Sequence, residues 1–381
     1  MVHHSSRTVL QLCVIYLSEL QPKEECFVLK KTVAVIFGGQ SSEYEISCIS
    51  AANVAENIDT SLFDVVKIGI TRDGRWWLYE GDTGSMRHNV WYELTEKLRP
   101  AVISPCSAHH GILVLDGVKG SFEVINIDVA FPVMHGKNGE DGTMQGLLTL
   151  AGIPFVGCGT AASAAAMDKE FTKIIAAHAG VPAVPFVSAV RSESTAEITA
   201  RAEKAFPYPV FVKPANAGSS VGITKCGDRQ TLEKGIKLAF ENDSKLLVEP
   251  SVTGREIEVA VCGNESPVAS VCGEIIPHSE FYDYETKYID DCAECVAPAD
   301  ITNEESEAIR ASAIATFRAL GGAGFARVDF FLLPDGTHML NEINTIPGFT
   351  PISMYPKLMA CVGVGYGELI TRLITLATEN R

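Results

Sequence analysis

The chain has no surplus of positive charge, no apolar run of membrane length and neither of the two common nucleotide-binding glycine fingerprints. Its 31 Lys and Arg face 47 Asp and Glu, a formal net charge of −16. That balance argues against a nucleic-acid partner and against an anionic membrane surface. Only 20% of residues are charged while 46% are apolar, a globular rather than a disordered composition. No stretch reaches the ~18 uninterrupted apolar residues of a spanning helix. Thr8–Leu17 is apolar but only ten residues long, and the polar run SELQPKEE follows it instead of a small-x-small cleavage site. Residues 1–30 therefore read as an upstream extension of unknown role. Internal repeats and low-complexity tracts are also missing. The eleven cysteines are odd in number and scattered, which fits a reducing cytoplasm better than a disulfide scaffold. The single C-x-x-C, Cys292 to Cys295, has no second pair and no nearby His, so it reads as loop thiols rather than a zinc site.

At 381 residues the chain exceeds what one hydrophobic core usually serves, so two or three domains are expected. Thr32–Phe37, Phe63–Ile70 and Asp128–Met134 read as buried strands, with helices over Glu45–Glu56 and up to Ala151. Trp76–Tyr79 continues Phe63–Ile70 as a hairpin, and 80–125 is irregular apart from strand-like pieces at Ala101–Ile103 and Ile112–Leu115. This alternation predicts a parallel α/β domain over 31–157. Residues 158–252 read as an α+β unit with strands at Val210–Lys213, Gly222–Cys226 and Lys245–Glu249. From 253 to 381 the chain is strand-rich, with helices at Glu304–Leu320 and Tyr366–Ala377.

The strongest constellation is ARVDFFLLPDGTHMLNEINTIPG, residues 326–348. Asp335-Gly336 reads as a two-residue hairpin turn. Pairing about it sets Asp329 opposite Glu342 and Arg327 opposite Asn344, all on one face of the sheet. Two carboxylates and an amide oxygen are hard ligands of the type that holds Mg²⁺ with phosphates. The Arg can neutralise charge on a transferred phosphoryl group. The bland reading is a solvated face with a cross-strand ion pair. The flanking Phe330–Leu333, Leu340 and Ile343 argue against open surface.

Three other segments carry chemistry. In VFVKPANAGSSVGITK a strand ends at Lys213 and a loop of small residues, with Ser219 and Ser220 in it, returns into another strand. Backbone N–H groups and hydroxyls there can approach an anion. No Gly-Lys-Ser/Thr follows, so it is not a Walker loop. The alternative is an ordinary Gly/Ser turn. Gly38–Glu45 (GGQSSEYE) and His135–Gly142 (HGKNGEDG) each follow a buried strand. Loops at the carboxyl ends of parallel strands build a ligand crevice, so the two turns can converge. The first lacks G-x-G-x-x-G and no acid ends the second strand, which excludes a dinucleotide fingerprint. Glu43 is placed to receive a ligand ammonium group, or else to cap a helix N-terminus. His135 reads as a scaffold residue. Lys169 taken alone reads as a surface lysine, and Lys245–Pro250 as an adenine-reading strand or a plain linker.

Together these segments closely resemble the D-alanine–D-alanine ligase family, which has the ATP-grasp fold. The matching stretches are AVIFGGQSSEYEIS, FPVMHGKNGEDGTMQGLLTLAGIPFVG, AAMDKEFTK, FVKPANAGSSVGITK, EFYDYETKY, FARVDFF and NEINTIPGFTPISMYP. They stand in family order from about 31 to the end; residues 1–30 have no counterpart. The resemblance implies ATP, two Mg²⁺ ions (Mn²⁺ as substitute), D-alanine as substrate, a homodimer and a cytoplasmic location. It implies that Glu43 binds the first ammonium group with His135 in support. Lys169, Lys213, Ser220 and Lys287 would contact ATP phosphates, Glu249 and the backbone after it adenine, and Glu256 the ribose. Asp329, Glu342 and Asn344 would hold metal. Glu43, Ser219 and Tyr288 would link the glycine loop, a lid over Glu280–Pro298 and the first domain. Arg327, Gly348, Ser353 and Met354 would line the second amino-acid site. Tyr288 disfavours a lactate-adding relative. KIGITRDGRWWLYEG and the GGQSSEYEIS turn resemble the first domain of the serine-adding group, whereas apolar Met354 favours alanine as the second substrate.

Overall fold

The computed structural model describes residues 30–115, 120–218, 221–277 and 293–379. Expectations for 1–29 and for Ser219, Ser220, Lys287, Tyr288 and Cys292 lie outside them. So does most of the expected lid, of which only 293–298 is described.

The apolar run of β1 (Lys31–Gly38) is continuous because both of its faces are covered. Val33, Val35 and Phe37 pack with α1 (Tyr44–Asn57). Ala34 and Ile36 pack with α3 (Thr143–Ala151). Burying each such side chain contributes roughly 1.5–3 kcal/mol. β1 runs parallel to β2 (Phe63–Ile70) on one side and β7 (Val129–Pro132) on the other. The parallel part ends there. β3 (Trp76–Tyr79), β4 (Leu98–Ile103), β5 (Gly111–Leu115) and β6 (Phe122–Asn126) extend the sheet as an antiparallel meander, in the order β6-β5-β4-β3-β2-β1-β7. The region expected to be irregular thus supplies three strands and the short α2 (Thr83–Arg87). β4 and β5 contain the two expected strand-like pieces; only β6 was missed, its Phe122 and Val124 being exposed without a buried alternation.

The second sheet has the order β10-β9-β11-β8. It comprises β8 (Val187–Val190), β9 (Val210–Pro214), β10 (Thr224–Cys226) and β11 (Lys245–Pro250). Helices α6 (Thr195–Ala205) and α7 (Arg229–Asn242) bury Ile198, Leu232 and Ile236 against it. Neither β8 nor α6 was anticipated, although a capping box of Ser194 and Glu197 marks the start of α6. The pair α4 (Thr160–Met167) and α5 (Lys169–His178) precedes this sheet.

The third sheet has the order β14-β13-β12-β15-β16. Its strands are β12 (Arg255–Cys262), β13 (Val268–Pro277), β14 (Ala293–Val296), β15 (Phe325–Leu332) and β16 (His338–Asn344). α8 (Asn303–Ala319) covers one face through Ile309, Ala313 and Phe317. α9 (Met354–Cys361) and α10 (Tyr366–Thr378) bury Tyr355, Leu369 and Leu373 in the core that also holds β1 and α1. No single described helix is long and apolar enough to cross a membrane.

The β15–β16 hairpin reaches the expected pairing by an unexpected route. Its loop is three residues, Pro334 to Gly336, closed by Leu333 N–H to Thr337 O at 2.8 Å, with Gly336 at φ +81°. Near the loop Leu332 therefore pairs with His338 and Phe330 with Leu340, one residue off the expected register. A bulge at Asn341 takes up the slip. Beyond it Asp329 faces Glu342 and Arg327 faces Asn344.

Candidate active site

Three sheets and the loops at their ends enclose a cavity of about 1060 Å³. Glu43, His135, Lys169, Glu256, Arg327, Asp329, Glu342, Asn344, Gly348, Ser353 and Met354 all line it. These residues span more than three hundred positions of sequence, so the fold alone brings them together. Lys213 and Glu249 stand just behind the wall. Lys213 Nζ reaches Asn341 Oδ1, at the bulge, at 3.3 Å.

Glu43 precedes α1, yet its side chain makes no capping hydrogen bond to that helix. The capping alternative is thus reduced to the favourable placement of an acid at the N-terminal end of the helix dipole. A Cβ on Gly136 (φ +71°) would lie 2.4 Å from Glu43 Oε2, and one on Gly218 would lie 3.0 Å from it. The two glycine-bearing loops converge on this carboxylate because neither carries a side chain there.

His135 is buried and bridges two elements. Its Nδ1 lies 2.8 Å from Ile346 O and its Nε2 3.3 Å from Ser50 Oγ. A carbonyl only accepts, so Nδ1 carries the proton and Nε2 accepts from the Ser50 hydroxyl. Burial holds the imidazole below its ordinary pKa, although Glu43 pulls the other way. His135 thus ties the loop after β7 to Ile346 and to α1.

Glu140 was not singled out from sequence. Both of its oxygens accept backbone N–H groups, from Gly136 at 2.7 Å and from Ile346 at 2.9 Å. Loss of hydration and repulsion from Glu43 nevertheless push its pKa up to about 8.

The hairpin face is dense with charge. Arg327 donates Nε to Asp329 Oδ1 and Nη2 to Oδ2, both at 2.8 Å, and its Nε lies 3.0 Å from Glu258 Oε2. Asn344 Nδ2 donates to Asp329 Oδ2 at 3.0 Å, so its Oδ1 is the atom left to ligate. Lys169 Nζ stands 3.6 Å from Glu342 Oε2 and donates to Ala217 O at 2.7 Å. Asp329 and Glu342 face each other across the hairpin, Asp329 paired with Arg327 and Glu342 beside Lys169. A divalent ion fits that donor set. Two carboxylates and one amide oxygen leave the rest of a six-coordinate shell to phosphate oxygens and water.

Lys213 is held from behind. Glu249 is buried, with Lys213 2.8 Å from one oxygen and Lys173 2.9 Å from the other. Burial opposes the charge on Lys213, but Glu249 overrides it and holds its pKa above the ordinary value. Lys173 is more deeply enclosed, and there burial wins and lowers it. Burial likewise opposes ionisation of Glu249, and the two ammonium groups outweigh it. The carboxylate expected at adenine is thus engaged by lysines, and the chain after it is paired toward β9, Pro250 opposite Val210 and Ser251 N–H on Pro209 O at 3.0 Å. Lys173 lies one turn after Lys169 on α5, which was the available signal for it.

Met354 is buried at the start of α9. A Cβ on Gly273 would lie 2.8 Å from its Sδ, so the thioether is wedged against bare backbone. Lys357, one turn on, lines the same cavity and was not anticipated.

Residues 32–158 match the family model described as D-ala D-ala ligase N-terminus, and 175–375 match D-ala D-ala ligase C-terminus. A D-alanine–D-alanine ligase of Ruminiclostridium cellulolyticum is 47% identical over 92% of this chain and 96% of its own length. D-alanine–D-alanine ligase A of Salmonella typhimurium is 45% identical, with 92% and 96% covered. Among solved structures, the VanG D-Ala:D-Ser ligase of Enterococcus faecalis has a TM-score of 0.85 at 41% identity, covering 92% of this chain and all of that one. The D-alanine–D-alanine ligase of Coxiella burnetii has a TM-score of 0.80 at 34% identity, covering 91% and 94%.

Proposed function

The chain belongs to the D-alanine–D-alanine ligase family, and we propose on that premise that its cavity joins two D-alanines at the expense of ATP. The observation that carries this reading is the convergence of Glu43, Lys169, Arg327, Asp329, Glu342, Asn344 and Ser353 on one cavity. The product, D-alanyl-D-alanine, serves peptidoglycan precursor synthesis, and a cytoplasmic site follows from the ATP it consumes.

The chemistry divides between the residues in place. A carboxylate is a poor acyl donor because oxide is a poor leaving group. The first D-alanine, its ammonium at Glu43 with His135 holding the surrounding scaffold, attacks the γ-phosphate through its carboxylate; the bond from the γ-phosphorus to the bridging oxygen breaks, ADP leaves with the electron pair, and D-alanyl phosphate forms. Lys169 and Lys213 screen the meeting of the two anions. A divalent metal at Asp329, Glu342 and Asn344 would supply further screening; we assign two Mg²⁺, with Mn²⁺ as substitute. The neutral amine of the second amino acid then attacks the carbonyl carbon. The C–N bond forms, the bond to phosphate oxygen breaks, and phosphate leaves with the electron pair. Arg327 and the backbone near Gly348 stabilise the oxyanion. Glu256 takes the ribose, and the backbone after Glu249 takes adenine. Ser219, Ser220, Lys287 and Tyr288 would complete the phosphate and lid contacts.

A serine-adding reading is favoured by the resemblance of the first domain to that group and by the 41% identity to the VanG enzyme. Met354 opposes it. A wedged thioether offers no partner to a serine hydroxyl, and burying that hydroxyl unpaired costs roughly 1–3 kcal/mol.

We also divide the chain at 157 and 252, since 31–157, 158–252 and 253–381 each carry one sheet. A homodimer is proposed as well, supported by the exposed Leu115, Phe122 and Val124 on the outer strands of the first sheet. The test of function is ATP-dependent phosphate release across a panel of D-amino acids, with the dipeptides identified by mass spectrometry. Release with D-alanine and formation of D-alanyl-D-alanine are expected. Activity confined to other amino acids would overturn the reading.

A further inference from the structure

Glu140 has no part in the mechanism above, yet its two hydrogen bonds join segments that the mechanism needs to act in sequence. Oε2 accepts from Gly136 N–H at 2.7 Å within its own loop, and Oε1 accepts from Ile346 N–H at 2.9 Å, 206 residues further on. The carbonyl of that same Ile346 accepts from His135 Nδ1 at 2.8 Å. Both polar groups of one residue are therefore held from the loop after β7. Upstream, Gly136 is the residue against which Glu43 Oε2 rests. Downstream of Ile346 the chain reaches Gly348 and then Ser353, whose Oγ accepts from Thr350 N–H at 3.1 Å. Gly348, Thr350 and Ser353 line the cavity. A continuous path thus runs from the first ammonium subsite through Gly136, Glu140 and Ile346 to the second subsite.

We propose that Glu140 is a positioning residue that couples the two amino-acid subsites, holding the segment from Ile346 to Ser353 so that the second amine, not water, meets the activated carbonyl. The proposal rests on the ligase reading. Two nucleophiles compete for D-alanyl phosphate. Attack by the amine forms C–N and releases phosphate. Attack by water forms C–O at the same carbon, breaks the same bond to phosphate oxygen, and returns D-alanine and phosphate. The second route consumes ATP and yields no dipeptide. A misplacement of ~1 Å slows an oriented attack by on the order of 100-fold, whereas water needs no positioning.

The test measures ADP and dipeptide in the same reaction, at saturating ATP, Mg²⁺ and D-alanine, for the full chain and two variants. Glu140→Gln keeps volume but sets an amide NH₂ against one of the two N–H donors. Glu140→Asp keeps the charge and loses the reach to Ile346. The unmodified protein is expected to release about one ADP per dipeptide. Each folded variant is expected to release ~10 ADP per dipeptide, the ratio reached when amine attack slows ~100-fold and water takes about a tenth of the intermediate in the unmodified protein. Its first half-reaction, followed by isotope exchange in ATP, should fall less than dipeptide formation does. A ratio that stays at one in both variants, however slow they are, overturns the coupling, because a general loss of structure slows both products alike. An unmodified protein that makes no dipeptide overturns the ligase reading and the proposal with it.

Discussion

Glu249 is shared by two lysines, and replacing each member of that trio should have unequal effects. Its carboxylate lies 2.8 Å from Lys213 and 2.9 Å from Lys173, and Glu249 and Lys173 are each only 1% exposed. Glu249→Gln leaves two ammonium groups facing a neutral amide, one of them almost without water. Breaking a buried pair by removing one partner costs about 3–5 kcal/mol. Lys173→Met removes the charge that burial already disfavours, and Glu249 keeps Lys213. That loss should be smaller, about 1–3 kcal/mol, the range for one charged hydrogen bond. The double variant removes the acid and the deepest cation together, so it should recover about 1–3 kcal/mol relative to the sum of the singles. A chain of this size need not unfold in one step, so the assay is local. Hydrogen exchange at the amides of Leu246, Leu247 and Val248 in β11 reports opening of this sheet, with urea unfolding by circular dichroism alongside. Strict additivity, or a Glu249→Gln variant as protected as the parent, would refute the account of a shared buried acid.

Three further outcomes are expected. Glu342→Gln should lower turnover at least ~100-fold with an unchanged circular dichroism spectrum, the scale for loss of transition-state charge stabilisation; near-normal activity at ordinary Mg²⁺ would remove the metal assignment. Glu140, raised to about 8, holds a proton in the empty site below that pH, and an arriving ammonium favours its ionised form. D-alanine binding in the presence of Mg²⁺ and a non-hydrolysable ATP analogue should therefore release protons between about pH 6.5 and 7.5. The check is calorimetry in buffers of different ionisation enthalpy, where a slope of zero, or one unchanged by Glu140→Gln, contradicts it. Finally, with equal D-alanine and D-serine the parent should make mostly D-alanyl-D-alanine. Met354→Arg, which supplies donors for a hydroxyl, should raise the serine-containing fraction by ~5-fold or more, within the ~10–100-fold that an unpaired hydroxyl sets. A mixed product dominating in the parent would refute the Met354 argument.

The comparison of sequence with structure is most instructive at the β15–β16 hairpin. Alternation put Arg327 and Asp329 on one face with Glu342 and Asn344, and that pairing is present. The turn that was to produce it is not. A three-residue loop shifts the register by one, which by itself would set Asp329 opposite Asn341 and turn Glu342 to the other face. The bulge restores the pairing and also aims Asn341 at Lys213. A period-two pattern cannot register an inserted residue, so the agreement rested on two cancelling departures.

What the sequence by itself determined is local. Apolar strands followed by glycine turns, a loop of small residues after Lys213 and acids flanked by Phe and Leu each follow from chain periodicity and side-chain chemistry within about ten residues. The order of those segments was enough to recognise the family. Only the tertiary structure decided which charges meet. Glu43 rests on Gly136 and Gly218, Glu140 reaches Ile346, and Lys173 and Lys213 share Glu249. Those contacts join residues from 36 to more than two hundred positions apart. Their energies depend on burial and on the distance between charges, and neither is a property of a residue or of its neighbours along the chain.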